Sequence, residues 1–323
     1  PSSEHESFIK KACGKDEELA NELLEMLANS SETHQLASDQ PTPSESLRQE
    51  SSQLRPGETI KDYKIDELIG KGGMGAVYRA RQIGTINREV AIKVIKLGMD
   101  SQSMIGRFER EKNALSKMSH PGIAQIWDDG LTSLGRPFFV MEYVKGSPID
   151  EYCNREKLNT NARLELFAKV CDAVQHAHLK GHIHRDIKPG NILVETDDRD
   201  QPQPKVIDFG IAKAISEDVS EERPPTGINS MVGTREYMSP EQLTKNPGDI
   251  DVRSDVYSLG VLLYEILTDQ LPFDKKTLED ASDEHIRELD SPRPSTKLTL
   301  VDSEKRTKIA ARRQTRFEEL RET

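Results

Sequence analysis

Read for the spacing of its apolar positions, the 323-residue chain divides into stretches of different period. Tyr63 to Leu68 (Y-K-I-D-E-L) alternates apolar with polar, as a half-buried strand does, and Ala76 to Arg81 alternates again after a glycine-rich break. Val90 to Ile95 and Phe138 to Val144 predict two further strands. Ile105 to Met118 switches to helical spacing, with Ile105, Phe108, Leu115 and Met118 on one face. Nearer the start, Leu19, Leu23, Leu24 and Met26-Leu27 predict a short helix over 17–27, capped by Asp16 and closed by Asn29-Ser30-Ser31. Ser30 to Pro56 has no period and reads as a disordered linker of Ser, Gln, Glu, Thr and Pro. Beyond Phe273, Ser282 to Leu289 predicts one more helix, ended by Ser291-Pro292-Arg293-Pro294-Ser295. Lys305 to Leu320 reads as helical and basic but lacks the apolar density of a core helix. No repeat of 20–50 residues is visible, which excludes solenoids and propellers.

Composition sharpens this division. The chain is 34% hydrophobic and 31% charged, with a net charge of −11, of which −7 lies in residues 1–59. Removing the two ends leaves a core candidate at 60–274 whose composition is closer to a globular norm. The acidity argues against a nucleic-acid partner, and no apolar run is long enough to predict a membrane segment. Cys13, Cys153 and Cys171 are far apart and odd in number, offering neither a disulfide framework nor a metal knuckle. A reducing cytoplasm is the expected setting.

The candidate chemistry begins in the glycine-rich break. Ile69-Gly70-Lys71-Gly72-Gly73-Met74-Gly75-Ala76-Val77 places glycines where backbone N–H groups can approach phosphate without a Cβ in the way. The same spacing occurs in dinucleotide-binding folds, but those need a helix straight after the glycines, and here a strand follows. A Walker-type loop is excluded by the lack of a G-K-[ST] ending. Lys93 in the middle of an apolar strand is costly unless its ammonium is partnered. Glu111, close to the inward face of the 105–118 helix, supplies a carboxylate for it, whereas Glu109 does not.

Three further motifs turn the pattern into a family resemblance. His184-Arg185-Asp186, with Asn191 five residues beyond the aspartate, resembles the H-R-D-x-x-x-x-N catalytic loop of protein kinases. Asp208-Phe209-Gly210 resembles their metal-binding turn, and Ser239-Pro240-Glu241 is similar to the A-P-E end of their activation segment. With the glycine loop and the Lys93 strand, which pairs with Glu111, five motifs stand in family order over about 60–290. The resemblance is to eukaryotic-type (Hanks-type) bacterial serine/threonine protein kinases.

That resemblance implies an α+β, two-lobed protein-kinase fold, with ATP and Mg2+ as cofactors and protein serines and threonines as substrates. Lys93, paired with Glu111, would hold the α- and β-phosphates, and Asp208 and Asn191 would hold Mg2+. Asp186 would align the attacking hydroxyl, and Lys188 would neutralise the γ-phosphate. Thr234 would bond both of them. The nucleotide would lie under Ile69, Gly70, Gly72, Gly73 and Gly75, its base between Val77, Ala91 and Leu193. Met141 would be the gatekeeper, with Glu142 to Val144 as the hinge. Arg185 implies activation by phosphate in the 208–241 segment, with Thr226 or Ser230 as the expected autophosphorylation site. Trans-autophosphorylation by a homodimer is plausible for the family, and Asp255 is expected to anchor the catalytic loop rather than to cap its helix.

The expected organisation is an acidic extension with a short helix over 1–59, an N-lobe and hinge over 60–144, a C-lobe over 145–290, and a charged tail over 291–323. On this reading the C-lobe is incomplete, and Glu241 lacks the arginine that pairs with it elsewhere in the family. The alternative to an active kinase is then an ATP-binding fragment or scaffold that does not turn over.

Overall fold

The computed structural model describes residues 53–72, 75–84, 87–95, 118–197, 199–209, 235–243 and 249–322. The expected helix over 17–27, that over 105–118 apart from Met118, the linker expected over 30–56 as far as residue 52, Glu111, Gly73, Thr226, Ser230 and Thr234 lie outside the described residues.

The period-2 segments pair into a six-stranded antiparallel sheet. Its strands are β1 (Thr59–Ile60), β2 (Tyr63–Gly72), β3 (Gly75–Gln82), β4 (Glu89–Ile95), β5 (Ile126–Leu131) and β6 (Pro137–Glu142), in the order β1-β2-β3-β4-β6-β5. Alternation sorts the side chains of this sheet into two sets. Ala76, Tyr78 and Ala80 of β3, Val90, Ile92 and Val94 of β4, and Phe138 and Val140 of β6 form one buried cluster. Val77, Ala91, Phe139 and Met141 form a separate cluster on the opposite face. Lys93 follows Ala91 by two residues, and register sets it opposite Val77 and Phe139, so it belongs to this second face.

A short three-stranded sheet and a set of helices follow. Strands β7 (Ser147–Pro148), β8 (Ile192–Thr196) and β9 (Pro202–Val206) are antiparallel neighbours, with Leu193 opposite both Pro148 and Lys205. Helices α1 (Ile149–Arg155) and α2 (Thr160–Leu179) precede β8. Asn159 caps α2 by accepting from the Ala162 N–H at 2.9 Å, and Leu166, Val170, Ala173, Val174 and Ala177 make its buried stripe. After β9 come α3 (Pro240–Leu243) and α4 (Val252–Thr268). Leu259, Leu262 and Ile266 of α4 share a core with the α2 stripe, Ile187, Ile192 and Val206. Asp251 caps α4, accepting from the Arg253 N–H at 2.8 Å, which leaves Asp255 for another task. The helix over 282–289 forms as expected: α5 (Lys275–Asp280) and α6 (Asp283–Glu288) follow α4, with Ser282 capping α6.

Residues 291–323 depart from the expectation of a charged tail. They contain α7 (Pro294–Thr299), α8 (Ser303–Ala311) and α9 (Phe317–Glu322), and Leu298, Val301, Ile309 and Leu320 bury one another with Phe317 alongside. Each helix is too short to show an apolar stripe, so the cluster is assembled from one or two residues per element. Charge supplies the rest of the attachment. Fully buried Arg313 donates to the Ile266 carbonyl at 2.9 Å and the Asp269 carboxylate at 2.9 Å. Arg163 of α2, also fully buried, donates to the same Ile266 carbonyl at 2.8 Å and to the Arg312 carbonyl at 3.1 Å. These arginines occupy the C-terminus of α4, where unpaired carbonyls and the helix dipole favour cations. Helical packing therefore continues to Leu320, past the expected boundary at 290. Glu241 also has a partner, since the Ser254 hydroxyl donates to its carboxylate.

Candidate active site

The roof of the cleft is the β2–β3 hairpin, in which Gly72 pairs with Gly75. Gly75 is obligatory for packing, because a Cβ there would lie 2.1 Å from the Val94 carbonyl oxygen of the neighbouring strand. Gly70 and Gly72 meet no such backbone obstruction. Ile69 is largely exposed on the same hairpin.

Beneath the roof lies the second face of the sheet. Ala91 and Met141 are buried, Val77 is half-buried, and the three share a cluster, so the structure brings the expected gatekeeper together with two of the three residues expected to enclose the base. A small apolar cavity opens behind Met141, between Lys93, Phe139, Ile126 and Phe209. Past Glu142 the chain runs through buried Val144 to Gly146. A Cβ on Gly146 would come 2.6 Å from the Val194 carbonyl oxygen, so glycine lets this strap press onto β8, beside half-buried Leu193.

The polar end of the cleft is built on two turns with positive φ, at Arg185 (63°) and Asp208 (59°). Non-glycine residues rarely adopt this conformation, and it persists where surrounding contacts over-determine it. Those contacts are present. Buried Asp255 accepts the backbone N–H of His184 at 2.7 Å and of Arg185 at 2.8 Å, and its Oδ2 lies 2.7 Å from Nε2 of His178. The expected anchoring role of Asp255 thus has its geometry. Gln242 Nε2 donates to the Arg185 carbonyl at 2.9 Å, and the Ile207 N–H donates to the Asn191 carbonyl at 2.9 Å, joining the two turns.

His184 is the hub between them. Its Nδ1 accepts the Asp186 N–H at 3.2 Å, so the remaining proton sits on Nε2 and is donated to the Ile207 carbonyl at 3.0 Å. Complete burial lowers its pKa, which keeps the ring neutral and the tautomer single. Its ring packs 4.7 Å from that of Phe209. His184 is therefore a structural residue and not a base.

Around these turns the functional side chains converge. Lys188 Nζ donates to Asp186 Oδ2 at 2.8 Å, and Asn191 Nδ2 donates to the same oxygen at 2.9 Å and to the Asp186 carbonyl at 2.7 Å. Lys93 Nζ lies 2.9 Å from Asp208 Oδ1. With its amide hydrogens committed to Asp186, Asn191 presents its amide oxygen, and Asp208 presents carboxylate oxygens, the hard donors that Mg2+ prefers. No group of three or more His, Cys, Asp or Glu able to hold a metal occurs among the described residues, so a cation here would complete its shell with water or phosphate oxygens. The arrangement offers one carboxylate oriented for a proton, two ammonium groups for anionic charge, and oxygen donors for a hard cation.

Sequence reasoning did not single out Gln242, His178, Arg163, Arg313 or Lys205. None of them carries a local signal, since each bonds a partner far away along the chain.

Comparison with known proteins agrees with this geometry. The family described as protein kinase domain matches residues 63–316. The chain is 38% identical over 244 residues to serine/threonine-protein kinase pkn3 of Myxococcus xanthus, covering 75% of this chain and 44% of that protein. It is 38% identical over 232 residues to serine/threonine-protein kinase PknB of Mycobacterium leprae, covering 70% of this chain and 35% of that one. The chain thus spans less than half the length of these relatives. The crystal structure of a double mutant of the Mycobacterium tuberculosis PknI kinase domain is similar in fold, with a TM-score of 0.56. The likeness is at 23% identity and covers 84% of this chain and 97% of that one.

Proposed function

The chain belongs to the protein kinase domain family, in its bacterial serine/threonine branch, and from that premise we propose that it transfers the γ-phosphate of ATP to serine and threonine hydroxyls of proteins. The observation that carries this reading is the Asp186 carboxylate, held by Lys188 and Asn191 on a loop anchored by Asp255.

In this reading Lys93 binds the α- and β-phosphates under the glycine hairpin of Gly70, Gly72, Gly73 and Gly75, with Glu111 as the further carboxylate that steadies it. Val77, Ala91 and Leu193 enclose the base, and the backbone of Glu142 to Val144 hydrogen-bonds its edge. Asp208 and Asn191 would hold Mg2+, which would supply neutralisation of the phosphate charge. Asp186 accepts the hydrogen bond of the substrate hydroxyl and then its proton. The hydroxyl oxygen forms its bond to the γ-phosphorus as the bond to the β–γ bridging oxygen breaks and ADP departs. Lys188 neutralises charge on the transferred group, with Thr234 bonding both it and Asp186.

Regulation follows from Arg185, which suits a phosphorylated Thr226 or Ser230. Trans-autophosphorylation would bring two copies together transiently. The demand for ATP and the separate cysteines favour a cytoplasmic setting for this domain, and no helix among the described residues is long and apolar enough to cross a membrane.

The experiment is transfer of labelled phosphate from Mg-ATP to the chain itself and to a generic basic protein. Asp186→Asn is expected to lower transfer about 1,000-fold while leaving binding of an ATP analogue intact. Undiminished transfer by that variant, or none by the wild type, overturns the reading.

A further inference from the structure

The two walls of the nucleotide cleft are tied together by a charge network that the catalytic steps do not use. Lys205 lies on β9, directly opposite Leu193 of β8, so both side chains leave the same face of that hairpin. Its ammonium pairs with Oε1 of Glu142, the last residue of β6, and lies 3.3 Å from Oε1 of Glu195. All three side chains are mostly buried, at 14%, 22% and 25% exposure. Glu142 is held from a second side as well. Its Oε2 accepts the Gln125 N–H at 3.3 Å, and its own N–H donates to the Gln125 carbonyl at 2.8 Å.

The network closes on itself through the backbone. Ala124, next to Gln125, donates its N–H to the Val206 carbonyl at 3.0 Å, and Val206, next to Lys205, donates to the Gly122 carbonyl at 2.8 Å. The segment 122–125, the end of β6 and the strand β9 are therefore one cross-braced unit. Glu142 begins the hinge, and Leu193 is the residue expected beneath the base. The Lys205–Glu142 pair spans the two elements between which a base would lie.

We propose that Lys205 is a positioning residue for the nucleotide, setting the spacing between hinge and floor by sharing its ammonium between Glu142 and Glu195. This rests on the reading of the cleft as an ATP site. Without the ammonium, two mostly buried carboxylates face each other uncompensated, and their repulsion pushes the hinge away from β8. The consequence is a loss of nucleotide affinity with the chemical step preserved, since no atom of Lys205 touches Asp186, Lys188 or Asn191 in the bonds that orient them.

The test measures binding of the non-hydrolysable analogue AMP-PNP with Mg2+, together with KM for ATP and kcat, on the whole chain. Lys205→Met is expected to raise both Kd and KM about fivefold or more, with kcat within about twofold of wild type. Lys205→Arg retains the charge and is expected to restore affinity. Glu142→Gln removes one end of the bridge and raises Kd as well, and in the Lys205→Met background, where it also removes the carboxylate repulsion, it causes no further loss of affinity. Should Lys205→Met not fold, the Glu142→Gln and Lys205→Arg arms decide the matter. Unchanged affinity in folded Lys205→Met, or in Glu142→Gln, or single effects that simply add, overturns the proposal and leaves the kinase reading standing. A wild-type chain that binds no AMP-PNP overturns both.

Discussion

Lys93 Nζ lies 2.9 Å from Asp208 Oδ1, so the lysine of the large sheet and the aspartate of the second positive-φ turn are paired. The contact joins β4 of the six-stranded sheet to the turn after β9, and it resolves the cost of placing an ammonium in an apolar strand. The two groups expected to act on phosphate and on its cation are thus pre-assembled.

Removing either partner should be felt in both chemistry and stability. Lys93→Met and Asp208→Asn are each expected to lower phosphate transfer at least about 100-fold. Both side chains are mostly buried, at 17% and 22% exposure, so each variant leaves its partner's charge uncompensated and is expected to lower the melting temperature by several degrees as well. Labelled-phosphate transfer and differential scanning calorimetry on the same preparations check both halves.

Asp255 presents a different case. Its fully buried carboxylate accepts two backbone N–H groups of the catalytic loop, and Asp255→Ala leaves those donors unpaired. A loss of about 3 kcal/mol or more in urea unfolding is expected, with activity falling because the loop is no longer held. Full activity in a stably folded Asp255→Ala would show that the positive φ at Arg185 is maintained by other contacts.

His184 gives the fold a defined response to acid. Its folded pKa is depressed by burial below the ordinary value of about 6.5, so between those two values the unfolded chain binds more protons than the folded one. Stability therefore rises with pH through that window and is lost as pH falls through it, by up to about 1.4 kcal/mol per pH unit. Unfolding free energies across this range, compared with those of His184→Asn, should show a shallower slope in the variant.

Arg313 is expected to hold the last three helices in place. Arg313→Met removes donors from the Ile266 carbonyl and Asp269, and should cost about 3 kcal/mol. Amide exchange is expected to accelerate over 294–322 before it does in α2. Uniform acceleration across both regions would mean that these helices and the rest of the helical core open as one unit.

The strands and the polar end of the site were legible because their signals are local. Alternation at Tyr63 to Leu68 and Ala76 to Arg81 reports which face is buried, and it does so without knowledge of the partner strand. The H-R-D-x-x-x-x-N spacing likewise brings Asp186, Lys188 and Asn191 within bonding distance over six residues. The helices over 294–322 were not legible as core, since each contributes only one or two apolar residues and is fastened by arginines that a sequence shows as surface charge. Gln242 and His178 were missed for a related reason: their bonds cross 57 and 77 residues of chain, and no local pattern marks them.

The sequence by itself determined the two faces of the sheet, the order of the motifs and the chemical identity of the groups in the cleft, because side-chain period and short-range spacing are properties of neighbouring residues. Only the tertiary structure decided which charges meet. Whether Lys93 faces Asp208, whether Lys205 bridges Glu142 and Glu195, and whether Arg313 is buried on Asp269 depend on where distant segments come to rest. The cost of taking a charged side chain out of water is offset only when that placement supplies its partner.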